Sequence, residues 1–243
     1  MGRPLRPVAD GLVYHALNRG NNRDVVCRDA GDYRALLRSL AQTQVRYPFA
    51  LFGYALMGNH FHLLLRPEAG QSISRILQSL TVAHTWRYHR RHRSVGHVWQ
   101  GRFKSPVIQD DEHLLTVLRY IEANPLRAGM VADLQEYRWT SYAAHGLGQA
   151  NPLLSEVPVW SRLGATEAVR QASWRQWVHV PLTEKELAVL RRSVTTGRPF
   201  GSETWAEGMG ERWGMTRTRK RRGRPPKHQP AAPEPAVENG KMN

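Results

Sequence analysis

Cysteine is nearly absent from this sequence, which narrows the classes of protein that it can belong to. The chain has 243 residues and a single cysteine, Cys27, so it holds neither an internal disulfide nor a cysteine-rich zinc module. We expect Cys27 to be a packing residue, because nothing near it in the sequence suggests a lowered thiol pKa. Such sparing use of cysteine fits a reducing compartment, and we expect a cytoplasmic protein.

Long apolar runs and acidic residues are also scarce. The chain contains no run of about eighteen apolar residues, no signal peptide and no lipidation motif, so we expect no membrane partner. Its 20 Asp and Glu residues are outnumbered by 35 Lys and Arg, which gives a formal net charge of +15. A charge of this size favours a polyanionic partner, and without a membrane motif we take nucleic acid to be that partner.

The residues that are present predict a folded α+β protein. Hydrophobic residues make up 41% of the chain, enough for a core. Periodicity and breakers predict strands at residues 11–17, 49–57, 60–66 and 97–108, and helices at residues 29–47, 72–91 and 110–123. The order β-α-β-β-α-β-α is that of a ferredoxin-like fold, an antiparallel sheet with helices on one face.

The composition of the sequence changes after about residue 148. We assign residues 1–148 to the main domain, and residues 149–215, where prolines and tryptophans are scattered, to a small helical C-terminal appendage. Within the appendage, residues 183–192 are predicted to form a capped helix. Residues 216–243 are rich in Arg, Lys, Pro and Ala and lack periodicity, which predicts a disordered basic tail.

Two histidines stand two residues apart in the predicted third strand. Side chains at this spacing point to the same side of a strand, so His60 and His62 share a face. The apolar residues that alternate with them face the helices: Phe61, Leu63 and Leu65. A pair of imidazoles on an open face can hold a divalent metal and leave positions for phosphate oxygens. The alternative is a pair of half-exposed histidines without a ligand.

A tyrosine in the predicted third helix is the second candidate. Tyr120 and Asn124 are four residues apart and share a helix face, and this helix can pack beside the face of the imidazoles. A phenol has an ordinary pKa of about 10, so it attacks a phosphodiester only if a metal and basic groups polarise the phosphorus. The amide oxygen of Asn124 can complete the metal shell. The alternative is an aromatic side chain packed on the sheet.

Four blocks of sequence resemble the single-tyrosine HUH transposases. They are Tyr14-His15 with Arg19-Gly20-Asn21, then residues 54–66 (YALMGNHFHLLLR), 96–104 (GHVWQGRFK) and 119–129 (RYIEANPLRAG). Their order and spacing, over residues 11 to about 145, resemble the branch called REP-associated tyrosine transposases, bacterial proteins linked to repetitive extragenic palindromes. Residues 196–203 and the basic tail resemble the C-terminal region of some members.

The resemblance implies a chemistry and roles for these residues. By that resemblance His60 and His62 bind Mg²⁺ or Mn²⁺, and Tyr120 attacks single-stranded or hairpin DNA to leave a 5′-phosphotyrosine link and a free 3′-hydroxyl. The hydroxyl can reverse the attack on another strand, which gives strand transfer without a small-molecule substrate. Asn124 stands where relatives place a third metal ligand, often a glutamine.

Basic residues supply the predicted DNA contacts. Four arginines close the second helix, where the alternative is a solvated helix end favoured by the macrodipole. The segment 220–227 (KRRGRPPK) resembles an AT-hook, with a sequence-blind basic tail as its alternative. The predicted set is Arg19, Arg87, Arg90, Arg91, Arg93, Arg102, Lys104, Arg119, Arg127, Arg222 and Arg224; Arg102, Arg119 and Arg127 are candidate phosphate clamps or structural residues.

Other functions remain open at this point. One is a domesticated DNA-binding protein that recognises hairpins without cleaving them. Another is a replication initiator or relaxase of the same superfamily, although such proteins usually need a longer chain. Relatives in insertion sequences are dimers with shared active sites, whereas the palindrome-associated branch tends to be monomeric. We expect a monomer, with a dimer as the alternative.

Overall fold

The computed structural model describes residues 9–109 and 112–213, and a four-stranded antiparallel sheet lies at the centre of this part of the chain. The strands are β1 (Val13–Arg19), β2 (Phe49–Leu56), β3 (His60–Pro67) and β4 (Val107–Ile108), in the spatial order β2-β3-β1-β4. The helices are α1 (Ala30–Arg46), α2 (Ile73–His92), α3 (Glu112–Glu122), α4 (Asn124–Arg127), α5 (Tyr142–Leu147), α6 (Glu167–His179), α7 (Glu184–Thr196) and α8 (Glu203–Arg212). The predicted α+β class and antiparallel sheet are confirmed.

Helices cover both faces of the sheet, which corrects the expectation of a single covered face. As predicted, Phe61, Leu63 and Leu65 of β3 pack toward α1 and α2. Leu64, between them, faces the other way and packs in a second apolar cluster with Leu118 of α3. At its centre β3 has apolar residues on both faces. Helix α3 can therefore cover the face of the sheet that the ferredoxin-like pattern predicted to be open.

The fourth strand is much shorter than predicted. Only two residues, 107 and 108, form a ladder with β1, whereas the prediction began at residue 97. Isolated bridges join Lys104 to Leu17 and Trp99 to Gly20, so the segment still follows β1. Gly101 has a φ of +63°, outside the range of a strand, and this break separates the two bridges.

The region after residue 148 shares a core with α3. Trp160, Trp174 and Leu190 lie in the same apolar cluster as Leu114 and Leu118. The boundary near residue 148 stays a prediction, but the two sides of it are packed together. Thr183 caps α7 as expected, through a capping box with Glu186. The predicted tail at residues 216–243 lies outside the described residues, and within the described part no helix is both long and apolar enough to cross a membrane.

Candidate active site

Strand β3 brings the two predicted histidines together on the face that α3 covers. The ring centroids of His60 and His62 are 5.0 Å apart. His62 is buried, with 4% of its surface exposed, and His60 is half-buried at the start of the strand. The two-residue period of a strand therefore predicted correctly that both rings lie on one face of β3.

Helix α3 brings Tyr120 to the same place. Its ring meets that of His62 edge to face, with centroids 5.8 Å apart. The close approach of α3 to β2 depends on Gly53, because a Cβ there would stand 2.2 Å from Cδ1 of Leu118. The predicted meeting of Tyr120 and the imidazole pair is thus present within one chain.

A third histidine, which the sequence reasoning did not assign to the site, lies behind the pair. His15 of β1 is buried, and its Nε2 atom is 2.8 Å from Nδ1 of His62. Its ring also meets the Tyr120 ring edge to face, with centroids 5.9 Å apart. His15 stood in a motif, but only the antiparallel pairing of β1 with β3, which sets His15 opposite Leu64, brings it next to His62.

The three imidazoles are held in the neutral form. Burial lowers the pKa of His15 to about 3, with a smaller effect of Arg127. Burial also lowers the pKa of His60 to about 4, and Arg19 and Arg127 lower it further. For His62, burial and then the neighbouring His15 and His60 hold the pKa well below its ordinary value. Neutral rings keep a lone pair, which metal binding requires.

The hydrogen bonds of the pair suit a metal. The Nδ1 atom of His60 lies 2.6 Å from Oδ1 of Asn59, and Nδ1 of His62 is engaged with His15. The Nε2 atoms of both rings are therefore the ones left to bind a metal. No group of three or more His, Cys, Asp and Glu side chains forms a metal site among the described residues. Two imidazoles would consequently need amide, water or substrate oxygens to complete the shell.

Asn124 is a candidate for such an oxygen. It begins α4 rather than continuing α3, which ends at Glu122 ahead of Pro125. The residue is 7% exposed, and its side-chain nitrogen is buried without a hydrogen-bond partner. Rotating the amide by half a turn would put its oxygen at that unpaired position, and oxygen is the donor that Mg²⁺ prefers.

Cations line the cleft in front of the histidines. The cleft has a volume of about 330 Å³, and its lining includes His60, His62, Arg19, Arg102, Lys104 and Val194. No carboxylate is among the described residues that line it. The Arg127 guanidinium stacks 4.0 Å from the centre of the Tyr120 ring and donates to the Tyr120 carbonyl. An anion that enters this cleft thus meets positive charge on several sides.

The arginines at the end of α2 have different roles. Arg87 donates to the Ala35 carbonyl and to Ser39 and Gln42 of α1, so it joins the two helices. Arg91 is paired with the carboxylates of Asp29 and Asp32. These two guanidinium groups are engaged within the protein.

Arg90 and Arg93 are exposed, and Arg90 stacks 5.4 Å from the ring of Trp86, which is 62% exposed. These side chains remain available to DNA.

The structure contradicts the prediction that Arg119 contacts DNA. It is 5% exposed, its guanidinium stacks 4.5 Å from the centre of Trp177, and it donates to Glu186. Its side chain is turned into the protein, toward α6 and α7, so it is not placed to clamp a phosphate. The predicted contacts Arg222 and Arg224 lie outside the described residues.

Comparison with known proteins finds a family for the part of the chain that contains this site. Residues 9–124 match the family described as Transposase IS200 like, a range that holds His60, His62, Tyr120 and Asn124. Residues 9–124 are an IS200-like transposase domain. The predicted family is therefore confirmed for this part of the chain, and the family match ends before α5 to α8 begin.

Two individual proteins are similar to this chain. A Haemophilus influenzae protein that carries the name REP-associated tyrosine transposase is 28% identical over 112 residues, which is 42% of this chain and 63% of that protein. A solved REP-associated tyrosine transposase bound to a REP hairpin covers 64% of this chain and 92% of its own, at 17% identity and a TM-score of 0.53. The second likeness shows that this chain shares that fold.

Proposed function

We propose that this transposase is a metal-dependent endonuclease that cleaves and rejoins single-stranded DNA through a covalent bond to Tyr120. The observation that carries the proposal is the Tyr120 ring 5.8 Å from that of His62, beside a cleft lined with cations. This arrangement is suited to attack on a phosphodiester, because negative charge develops there in the transition state.

His60 and His62 would hold Mg²⁺ or Mn²⁺ through their Nε2 atoms, with Asn124 as a candidate third ligand. When bound, the ion supplies Lewis-acid polarisation of phosphate oxygens. The neutral state of the imidazoles, which their burial favours, supports this assignment.

Tyr120 would attack the phosphorus with its phenolic oxygen. The bond from Oη to phosphorus forms as the bond from phosphorus to the 3′ oxygen breaks; the phenol loses its proton and the departing oxygen takes one up. The positive charge of Arg127, 4.0 Å from the ring centre, favours the negative charge that the phenol acquires. Attack by a 3′-hydroxyl on the phosphotyrosine reverses the bonds and joins the strands.

Hairpin DNA of the REP type is the proposed substrate. The likeness to a solved transposase that holds a REP hairpin supports this choice, as does the net charge of +15. Arg19, Arg102 and Lys104 would hold the backbone in the cleft. Since one chain supplies both histidines and the tyrosine, we further propose that a monomer is active.

A pool of labelled single-stranded hairpins with randomised flanks tests the function whatever sequence the protein cleaves. Full-length protein is incubated with the pool, with and without Mn²⁺, and run on a denaturing gel. We expect a DNA adduct that needs Mn²⁺, disappears in Tyr120→Phe and persists in Tyr47→Phe. Tyr47 is a matched control because an arginine also stacks on its ring, 5.3 Å away, outside the cleft. Tight binding without any adduct would instead favour a DNA-binding protein that does not cleave.

A further inference from the structure

We propose that residues 149–213 are a positioning element for the nucleophile, which hold α3 at two residues that flank Tyr120. The inference rests on the proposed role of Tyr120. The family match ends at residue 124, so the likeness assigns no role to this region. Its helices nevertheless bond directly to α3.

The first attachment is the carboxylate of Glu122, two residues after Tyr120. Glu122 is 0% exposed and accepts hydrogen bonds from Ser141, from Nδ1 of His145 at 2.6 Å and from Nε1 of Trp174 at 2.8 Å. Ser141 and His145 belong to the turn before α5 and to α5, and Trp174 of α6 is the donor that residues 149–213 supply. A carboxylate with three directional partners has little freedom to move.

The second attachment is Arg119, the residue before Tyr120. Its guanidinium stacks on Trp177 of α6 and donates to Oε1 of Glu186 in α7 at 3.3 Å. Glu186 is itself fixed, because its Oε2 accepts from the backbone and hydroxyl of Thr183 in the capping box. The start of α7 thus holds the other side of the nucleophile.

Because of the geometry of the helix, these attachments determine the position of the Tyr120 side chain. At about 100° per residue, Glu122 lies roughly 160° around α3 from Tyr120. One side of the helix therefore faces the imidazoles while the opposite side is bonded to α6. Val194 of α7 also lines the cleft itself. Displacing the attachments would move the phenol relative to the phosphorus, and about 1 Å of misplacement can cost about 100-fold in rate.

Directional bonds contribute orientation here more than stability. Apolar residues at positions 119 and 122 would bury α3 equally well without the cost of desolvating a carboxylate and a guanidinium. The same helix interface is otherwise apolar, with Leu114, Leu118 and Trp174 in one cluster. Two buried charged groups on either side of Tyr120 are thus best explained by the need to hold that residue.

A pair of tryptophan variants in the full chain tests the proposal. Trp174→Phe removes the indole donor to Glu122 but keeps an aromatic ring. Trp160→Phe is the matched control, since Trp160 is also buried and donates to a carboxylate, Glu167, but makes that bond within the C-terminal region. The measurements are the single-turnover rate of adduct formation at saturating hairpin and the Kd for that hairpin, below the melting temperature of each variant.

We expect Trp174→Phe to slow adduct formation about tenfold or more with an unchanged Kd, and Trp160→Phe to leave both within about twofold. Equal rates for wild type and Trp174→Phe, or parallel losses in both tryptophan variants, would overturn the proposal. If the wild type itself forms no adduct, the failure lies in the proposed function instead, because the attachments are then without a nucleophile to position.

A second variant decides the matter if Trp174→Phe does not fold. Glu186→Gln keeps a residue that suits the capping box but removes the charge that Arg119 meets. The Glu186 side chain is 41% exposed, so we expect the Glu186→Gln variant to fold. Glu167→Gln is its control, because Glu167 lies in the first turn of α6 and accepts hydrogen bonds from Trp160, Arg170 and Gln171, which all belong to the C-terminal region. A slower adduct at unchanged Kd in Glu186→Gln alone supports the proposal, and wild-type rates in both contradict it.

Discussion

The Nε2 atom of His15 lies 2.8 Å from Nδ1 of His62, and this hydrogen bond joins strands β1 and β3 behind the candidate metal site. The bond engages one nitrogen of His62 and directs the other into the cleft. A partner of this kind raises metal affinity because it fixes both the tautomer and the orientation of the ligand ring.

Replacing His15 should therefore weaken metal binding. We expect His15→Ala to raise the Mn²⁺ concentration needed for half-maximal adduct formation by about 10- to 100-fold. Hairpin affinity without metal should change little, since His15 is 1% exposed. Titration of Mn²⁺ in the adduct assay measures the effect, and an unchanged Mn²⁺ requirement would show that His62 is oriented without His15.

Arginines of equal charge should differ in their effect on DNA binding. Arg102 is exposed and lines the cleft, whereas Arg91 is bonded to Asp29 and Asp32. We expect Arg102→Ala to weaken hairpin binding and to reduce the slope of log K against log salt by about 0.9, the value for one phosphate contact. Arg91→Ala removes the same charge but should leave the slope unchanged. Equal slopes in the two variants would contradict this division.

Acid should destabilise the protein in part through His84. Burial lowers the pKa of His84 to about 4, although its bond to the Val26 carbonyl and Asp32 oppose the shift. Since the unfolded chain takes up a proton below about pH 6.5 and the folded ring does not until about pH 4, this contribution is present above pH 6.5 and is lost as the pH falls toward 4.

Urea unfolding of wild type and His84→Gln at pH 7 and pH 5 measures this contribution. The glutamine amide keeps a donor for Val26 but does not titrate. We expect the free energy of unfolding of the variant to fall by about 2 kcal/mol less between these pH values. Parallel losses in the two proteins would assign the acid sensitivity to other groups.

Enlarging Gly53 should disturb α3. A Cβ at this position would meet Leu118 at 2.2 Å and Ser141 at 3.1 Å, and both neighbours are buried. We expect Gly53→Ala to lower the free energy of unfolding by about 1–3 kcal/mol and to slow adduct formation. Gly208→Ala, with no atom within 4 Å of the added carbon, should not destabilise the protein. If the free energy of unfolding of Gly53→Ala equalled that of the wild type, α3 would be able to move away from β2 without cost.

Local patterns in the sequence were enough for several of the elements, although not for the length of β4, and for the placement of His60 and His62. The alternation of a strand placed His60 and His62 on one side of β3, and the period and breakers of each segment predicted α1, α2 and β2 to within a residue or two. The third helix was also expected, and with it the placement of Tyr120. These features depend on neighbours a few residues apart, which a sequence displays directly.

Contacts between distant segments were decided only by the tertiary structure. His15 reaches His62 across 47 residues, Arg119 reaches Glu186 across 67, and Glu122 reaches Trp174 across 52. Strand register and helix packing determine these pairs, and neither produces a local periodic pattern in the sequence. The sequence by itself determined the first candidates for the proposed chemistry, which are His60, His62 and Tyr120. The tertiary structure decided which of them meet and which arginine is buried, because burial and partnership belong to the packed chain.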